Sequence, residues 1–86
     1  MATYDVRVII ENKPGISDPE GDTILHDLVL KGNNPEVSKI KTAKMLKFTI
    51  KEKDKKTAQN KIQEICNDLR IYNPMVSQIT IDVFDT

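Results

Sequence analysis

Three stretches of the chain alternate between apolar and polar residues, which is the pattern of a strand with one buried face. The pattern predicts strands over residues 3–11, 44–51 and 75–84, and a shorter strand over 36–42 that a hairpin joins to the second. The apolar positions of the three clearer strands are Tyr4, Val6, Val8, Ile10, Leu46, Phe48, Ile50, Ile79, Ile81 and Val83. One face of each strand is therefore expected to lie against a core.

Two other stretches place apolar residues three or four positions apart, which predicts helices. Asp18 and Pro19 begin the first helix, because Asp accepts hydrogen bonds from free backbone N–H groups and Pro suits the first helical position. Gly32 ends it, and Asp54 begins the second helix. The apolar stripes are Ile24, Leu25, Leu28 and Val29 in the first helix and Ala58, Ile62, Ile65, Cys66 and Leu69 in the second.

The element order predicts an α+β protein with a ferredoxin-like, two-layer β-α-β-β-α-β fold. Right-handed crossovers would place both helices on one face of a four-stranded antiparallel sheet. No linker or low-complexity stretch divides the chain, so residues 1–86 form a single domain. The other face of the sheet would be mostly polar, with Ile9, Met45 and Phe84 as apolar exceptions that would suit a subunit contact.

Composition describes a small globular domain that needs a partner. Hydrophobic residues make up 38% and charged residues 30% of the 86 residues. A chain of this size buries only about 60–65% of its unfolded surface, so association is a natural way to gain stability. Cys66 is the only cysteine, which excludes an internal disulfide and a Cys-based zinc site within one chain. With no apolar run near the ~20 residues of a membrane span and no secretory signal pattern, we expect a cytoplasmic protein.

The charges balance overall but are unevenly distributed. The chain carries 13 Lys+Arg and 13 Asp+Glu, yet nine lysines and only two acids lie between Lys39 and Lys61. Three interpretations of this lysine run remain open: a solvated surface, a face that binds an acidic partner, or a weak RNA-binding site. The partner interpretation predicts binding to other subunits that weakens as salt is raised.

No catalytic or metal-binding constellation is evident. His26 is the only histidine and has no nucleophile or second metal ligand at a recognisable spacing. Cys66 lies in an apolar helical stripe, where a thiol behaves as a small hydrophobe. Glycine-rich phosphate loops are missing, as are the aromatic pairs of an RNA-stacking sheet. We expect no catalytic residue and no metal site in this chain.

The segment from Lys13 to Gly21 is the most distinctive local feature. Turn and capping chemistry explains Pro14, Gly15, Asp18 and Pro19 without any function. A glycine in the first turn of a helix lowers helix propensity, so its presence at position 21 suggests a close approach by another backbone.

The pattern K-P-G-x-x-D-P-x-G of Lys13–Gly21 resembles the PurS family, the small subunit of phosphoribosylformylglycinamidine (FGAM) synthase. The similarity covers the whole chain and includes Cys66 and Leu69 in the second helix and the Asn73-Pro74 pair before the last strand. It departs where the family usually has an Arg-x-Gly-Lys-like turn. This chain has Lys-Thr-Ala-Lys over 41–44, so only Lys44 carries over.

The resemblance implies a non-catalytic subunit in de novo purine biosynthesis. It would form a homodimer or tetramer, bridge a glutaminase subunit and a large ATP-dependent synthetase subunit, and support ammonia transfer between them. ATP, magnesium and glutamine would be used by those partners, and this chain would hold no cofactor. The residues that the resemblance assigns to assembly are Lys13, Pro14, Gly15, Asp18, Pro19 and Gly21, with Lys44, Asn73 and Pro74 secondary.

Two other functions remain open from the residues alone. A small-molecule-binding regulatory domain of the same fold would place its site at a dimer interface, near the loop after the first strand, and an amino-acid ligand would shift its melting temperature. A weak RNA-binding domain would use the lysine run and bind single strands in a salt-dependent way.

Overall fold

A computed structural model describes residues 1–86 and contains three strands and two helices. Their bounds are β1 Ala2–Asn12, α1 Pro19–Ile24, β2 Ala43–Glu52, α2 Lys55–Asp68 and β3 Ser77–Asp85. A π-helical turn, Leu25–Val29, continues α1 directly. The three clearer strands of the sequence and both helix starts are therefore present where the pattern predicts them.

The strands form one antiparallel sheet in the order β2-β1-β3, with β1 in the centre. Val6 of β1 lies opposite Phe48 of β2 and Val83 of β3, and Val8 lies opposite Leu46 and Ile81 in the same way. Because side chains directly opposite each other share a face, this register places the apolar alternation of all three strands on one side of the sheet.

The prediction of a four-stranded sheet is wrong. Residues 36–42 form no strand, and the sheet ends at β2. The stretch lacks a period of two, since Val37 and Ile40 are three positions apart. Its backbone is instead held against the start of α1: the Thr42 N–H donates to the Asp18 carboxylate rather than to a neighbouring strand. The outer edge of β2 therefore has no partner strand within the chain.

The prediction that both helices cover the sheet is also wrong. Only α2 packs on the strands, and the backbone of α1 and of the π-helical turn approaches none of them. The core consists of the β1 residues Tyr4, Val6 and Val8 against the α2 residues Ala58, Ile62 and Cys66. Leu69, expected in the core, is 70% exposed, because α2 ends at Asp68 and Leu69 follows as its C-terminal cap.

The molecule is more extended than a compact protein of 86 residues. Its radius of gyration is 16.5 Å and its principal extents are 51 × 28 × 14 Å, whereas a compact chain of this length has a radius of gyration of about 12 Å. The cause is the segment 13–42, called the arm below, which contains α1 and the π-helical turn and does not fold back over the sheet. None of the helices has the length and the apolar composition that a membrane span requires.

Candidate assembly site

The residues singled out in the sequence gather at one end of the sheet. β1 ends where β2 and β3 begin, with Glu11 opposite Ala43 and Gln78. The loop that leaves β1, the entry to β2 and the loop that enters β3 therefore lie side by side. These three segments carry Lys13, Pro14, Gly15, Asp18, Pro19 and Gly21, then Lys44, and then Asn73 and Pro74.

The loop between β1 and α1 is held by backbone hydrogen bonds. Gly15 has a φ of +88°, a left-handed conformation that favours glycine, and the Ile16 N–H donates to the Lys13 carbonyl over 3.1 Å. The Lys13 N–H donates to the Val76 carbonyl over 2.9 Å. The loop is thereby tied to the segment before β3, although its side chains are exposed.

Asp18 connects the two ends of the arm. Its carboxylate accepts the Gly21 N–H at 3.1 Å, which caps α1, and the Thr42 N–H at 2.5 Å and hydroxyl at 2.9 Å. The Thr42 N–H, and after it the Gly21 N–H, lower the pKa of this carboxyl below its ordinary value. Pro19 occupies the first turn of the helix, as the sequence predicts. The carboxylate therefore joins the start of α1 to the residue before β2.

Gly21 is buried against the returning backbone of the arm. A Cβ atom at this position would overlap the Ile40 carbonyl oxygen and lie 3.0 Å from its carbonyl carbon. The close backbone approach predicted from the sequence is therefore confirmed. The sequence does not identify Ile40 and Thr42 as the residues that meet Gly21 and Asp18, because no local pattern marks contacts between segments so far apart.

The grooves around this end of the sheet differ in size. A cavity of about 150 Å³ lies between the Lys13–Asp18 loop and the returning segment 39–41, well below the 300–1,000 Å³ of typical ligand pockets. It offers no support for a small-molecule site at this loop. An open groove of about 640 Å³ lies between Glu20 and Lys44, and another of about 660 Å³ lies at the end of α2 beside Asn73 and Pro74.

The face of the sheet away from α2 carries one aromatic ring, Phe84. The Arg7 guanidinium lies 4.4 Å from the ring centroid, so one face of the ring is already occupied. Ile9 lies opposite Met45 on the same face, one pair of residues beyond Arg7. Phe84 and Met45 are 41% and 47% exposed, but Arg7 separates them. This face thus has no pair of free rings for stacked bases, and its apolar residues form two patches rather than one.

The lysine run is a solvent-exposed surface. All nine lysines between Lys39 and Lys61 are exposed to solvent. Ion pairs form only at Lys41, whose Nζ lies 3.6 Å from Glu11, and at Lys55, whose Nζ lies 3.2 Å from Asp85. The other seven ammonium groups have no acidic partner within the chain.

Reactive side chains are not grouped in this structure. His26 is exposed on the π-helical turn, and Cys66 is fully buried under β1. Burial raises the pKa of the Cys66 thiol, which keeps it protonated. No three His, Cys, Asp or Glu side chains come close enough together to hold a metal ion.

A three-stranded antiparallel sheet under one helix, with a shaped arm that lies outside the core, defines a small α+β domain. The chain belongs to the PurS family: the family model described as PurS, phosphoribosylformylglycinamidine (FGAM) synthase, matches residues 5–85. It is a subunit of FGAM synthase, a ligase complex of purine biosynthesis.

Individual relatives agree with the family model. The chain is 35% identical over 74 residues to the FGAM synthase subunit PurS of Archaeoglobus fulgidus, which covers 86% of this chain and 90% of the relative. The crystal structure of Methanocaldococcus jannaschii PurS superposes with a TM-score of 0.83 at 32% identity, covering 96% of this chain and 98% of that one. A structure of PurLQS from Thermotoga maritima, at 19% identity, has the same fold, with a TM-score of 0.83 and coverage of 98% and 100%.

Proposed function

We propose that this subunit performs no chemical step and bridges the glutaminase and the ATP-dependent synthetase subunits of FGAM synthase, supporting ammonia transfer from glutamine to formylglycinamide ribonucleotide. The observation that carries the proposal is the arm: residues 13–42 are internally ordered by Asp18 and Gly21 but lie outside the core. The arm has a defined shape but does not pack on the core of its own chain. Contacts with other chains would explain why it is ordered.

Self-association is the first such contact. The apolar stripe of the arm is incompletely covered, since Leu28 is 66% exposed, while the outer edge of β2 has no neighbouring strand. An unpaired edge and an uncovered helix in one chain are both buried when a second copy binds by two-fold symmetry. A homodimer, or a tetramer built from two dimers, is the assembly that these surfaces support.

Binding to the other subunits is the second. The Thermotoga maritima neighbour is a PurLQS structure, and the proposal extends this association to the present chain. The unpaired lysines between Lys39 and Lys61 would face an acidic surface of a partner. Reversing the charge at Lys51 should then weaken binding, whereas Lys51→Arg, which keeps the charge at the same exposed position, should not. Affinity for the other subunits that does not depend on ionic strength would contradict this role of the lysines.

The partners supply the reactive components in this proposal. ATP, magnesium and glutamine would bind to the synthetase and glutaminase subunits, and this chain would contribute surface and shape. The complex would work in the cytoplasm, where a free thiol such as Cys66 stays reduced. Phosphorylated nucleotides are also retained in that compartment by their charge.

Reconstitution tests the proposal. The chain is mixed with the glutaminase and synthetase subunits from the same organism, and amidine formation is measured with glutamine or with ammonia as the nitrogen source. The expected result is that glutamine-dependent activity requires this chain and ammonia-dependent activity does not. If no complex forms and neither activity changes, the bridging role is wrong. If both activities require the chain equally, it supports the synthetase itself rather than ammonia transfer.

A further inference from the structure

The groove at the C-terminal end of α2 contains an arginine in an unfavourable backbone conformation. Arg70 has a φ of +52° and follows the C-terminal cap of the helix. The Ile71 N–H donates to the Cys66 carbonyl over 3.0 Å, and this geometry requires a left-handed residue at position 70. Glycine is the usual residue there, because side chains strain the left-handed conformation. Arginine at this position therefore lowers the stability of the helix end relative to glycine.

Two side-chain amides in this groove have free donors. The Asn67 side-chain oxygen accepts the Tyr72 hydroxyl at 3.1 Å, and the Asn73 side-chain oxygen accepts the Met75 N–H at 3.0 Å. The NH₂ groups of both amides have no partner, and the Arg70 guanidinium forms no ion pair. A guanidinium and two amide NH₂ groups lining one groove match a planar anionic acceptor such as a carboxylate.

The surroundings of these donors indicate a protein ligand rather than a small ion. The groove has a volume of about 660 Å³. Met75, which lines the groove, is 81% exposed, and the adjoining residues Leu69 and Val76 are 70% and 38% exposed. Flexible apolar side chains around a positively charged centre are typical of protein interfaces, where they exclude water from a charged contact.

We propose that this groove binds an acidic side chain of another FGAM synthase subunit, with Arg70 receiving the carboxylate and Leu69 and Met75 packing on apolar residues beside it. The inference rests on the proposed function, since it assumes a partner subunit, and it adds where that partner binds. It also explains why Asn73 and Pro74 shape the turn next to Arg70, at the end of the sheet from which the arm departs.

The test separates the conformational role of Arg70 from binding. Arg70→Gly removes the guanidinium and also relieves the strained backbone, so the free variant should melt no lower than wild type while binding the other subunits about ten-fold more weakly or worse. Arg70→Lys keeps the positive charge but cannot donate two parallel hydrogen bonds to one carboxylate. Its affinity for the other subunits should therefore lie between those of wild type and Arg70→Gly. The matched control for the backbone effect is Asn33→Gly at the other non-glycine residue with positive φ, at 68° and outside the groove, which should likewise melt no lower than wild type.

Affinity is measured with the reconstituted subunits, and the size of the free chain by analytical ultracentrifugation. An Arg70→Gly variant that binds its partners like wild type would overturn the proposal and leave Arg70 as a helix cap. A variant whose own oligomer dissociates would show that the groove holds a second copy instead. Saturable binding of inorganic phosphate to the isolated chain, lost in Arg70→Gly, would assign a small anion to the groove. Wild-type chain that fails to bind any subunit would refute the proposed function itself.

Discussion

The carboxylate of Asp18 accepts the backbone N–H and the hydroxyl of Thr42, a residue 24 positions further along the chain. This contact closes the base of the arm, because Asp18 caps α1 while Thr42 immediately precedes β2. It also satisfies a backbone donor that a fourth strand would have paired with β2. The arm thus has a defined shape without being part of the sheet.

Stability should depend on the ionisation of Asp18. Hydrogen bonds from the Thr42 and Gly21 N–H groups hold its folded-state pKa below the ordinary value of 3.8. The stabilisation is therefore fully present above that value and is lost as the pH falls through the folded-state pKa. Asp18→Asn should melt below wild type at neutral pH, and the difference between the two should shrink as the pH is lowered.

Thermal melting of both proteins over a range of pH measures this effect. Asp27, an exposed carboxylate with no hydrogen-bond partner, provides the matched control, and Asp27→Asn should melt close to wild type at neutral pH. A gap between wild type and Asp18→Asn that stays constant down to the lowest pH would contradict the role given to the carboxylate.

Gly21 should not tolerate a side chain. In Gly21→Ala the new methyl group meets the Ile40 carbonyl, and backbone yields less readily than the end of a side chain. Overpacking of this kind lowers the free energy of unfolding by about 1–3 kcal/mol. The better helix propensity of alanine raises it by less than about 1 kcal/mol, which does not offset the loss. Urea unfolding should show a net loss of stability. Glu20→Ala, one exposed position earlier in the same helix, should show little change, and equal stability of the two variants would refute the close contact.

The sequence predicts the elements whose signal is local and fails where contacts are distant. Alternation is sufficient to place β1, β2 and β3, and Asp18 and Asp54 mark the helix starts as expected. The strand predicted over residues 36–42, from which the ferredoxin-like order is inferred, does not form, and the period of two is absent there. The contacts that decide the path of this segment involve Asp18 and Gly21, which lie in another part of the chain.

The features of the candidate site are likewise predictable where the signal is local and unpredictable where the contact is distant. The glycine at position 21 signals a close approach, but nothing local identifies the Ile40 carbonyl as its partner. Arg70 carries no sequence signal at all, because its left-handed φ follows from where α2 ends. Helical spacing alone predicts Leu69 in the core, and the end of the helix at Asp68 leaves it exposed. Whether the nine motif residues act in assembly stays a prediction.

The core under α2 should be sensitive to truncation, whereas the end of the helix should not. Ile62 is 1% exposed and packs against β1, so Ile62→Ala should cost about 2–5 kcal/mol through lost contacts and a residual cavity. Leu69→Ala removes the same kind of volume from a side chain that is 70% exposed and should leave the unfolding free energy of the isolated chain nearly unchanged. Denaturant unfolding of the two variants measures the contrast. Similar losses would mean that Leu69 does belong to the core, as its spacing suggests.

The Cys66 thiol should be unreactive towards alkylating reagents in the folded protein. The side chain is 0% exposed in the core, and burial raises the pKa of its thiol above the ordinary 9.0. Both effects suppress the reactive thiolate, so alkylation by iodoacetamide should be slow in the native state and fast in urea. A cysteine introduced by Ser38→Cys into a Cys66→Ala background lies at an exposed position and should react at once, which controls for the reagent. Rapid modification of Cys66 without denaturant would show that α2 opens away from the sheet far more readily than its packing on Val6 and Val8 implies.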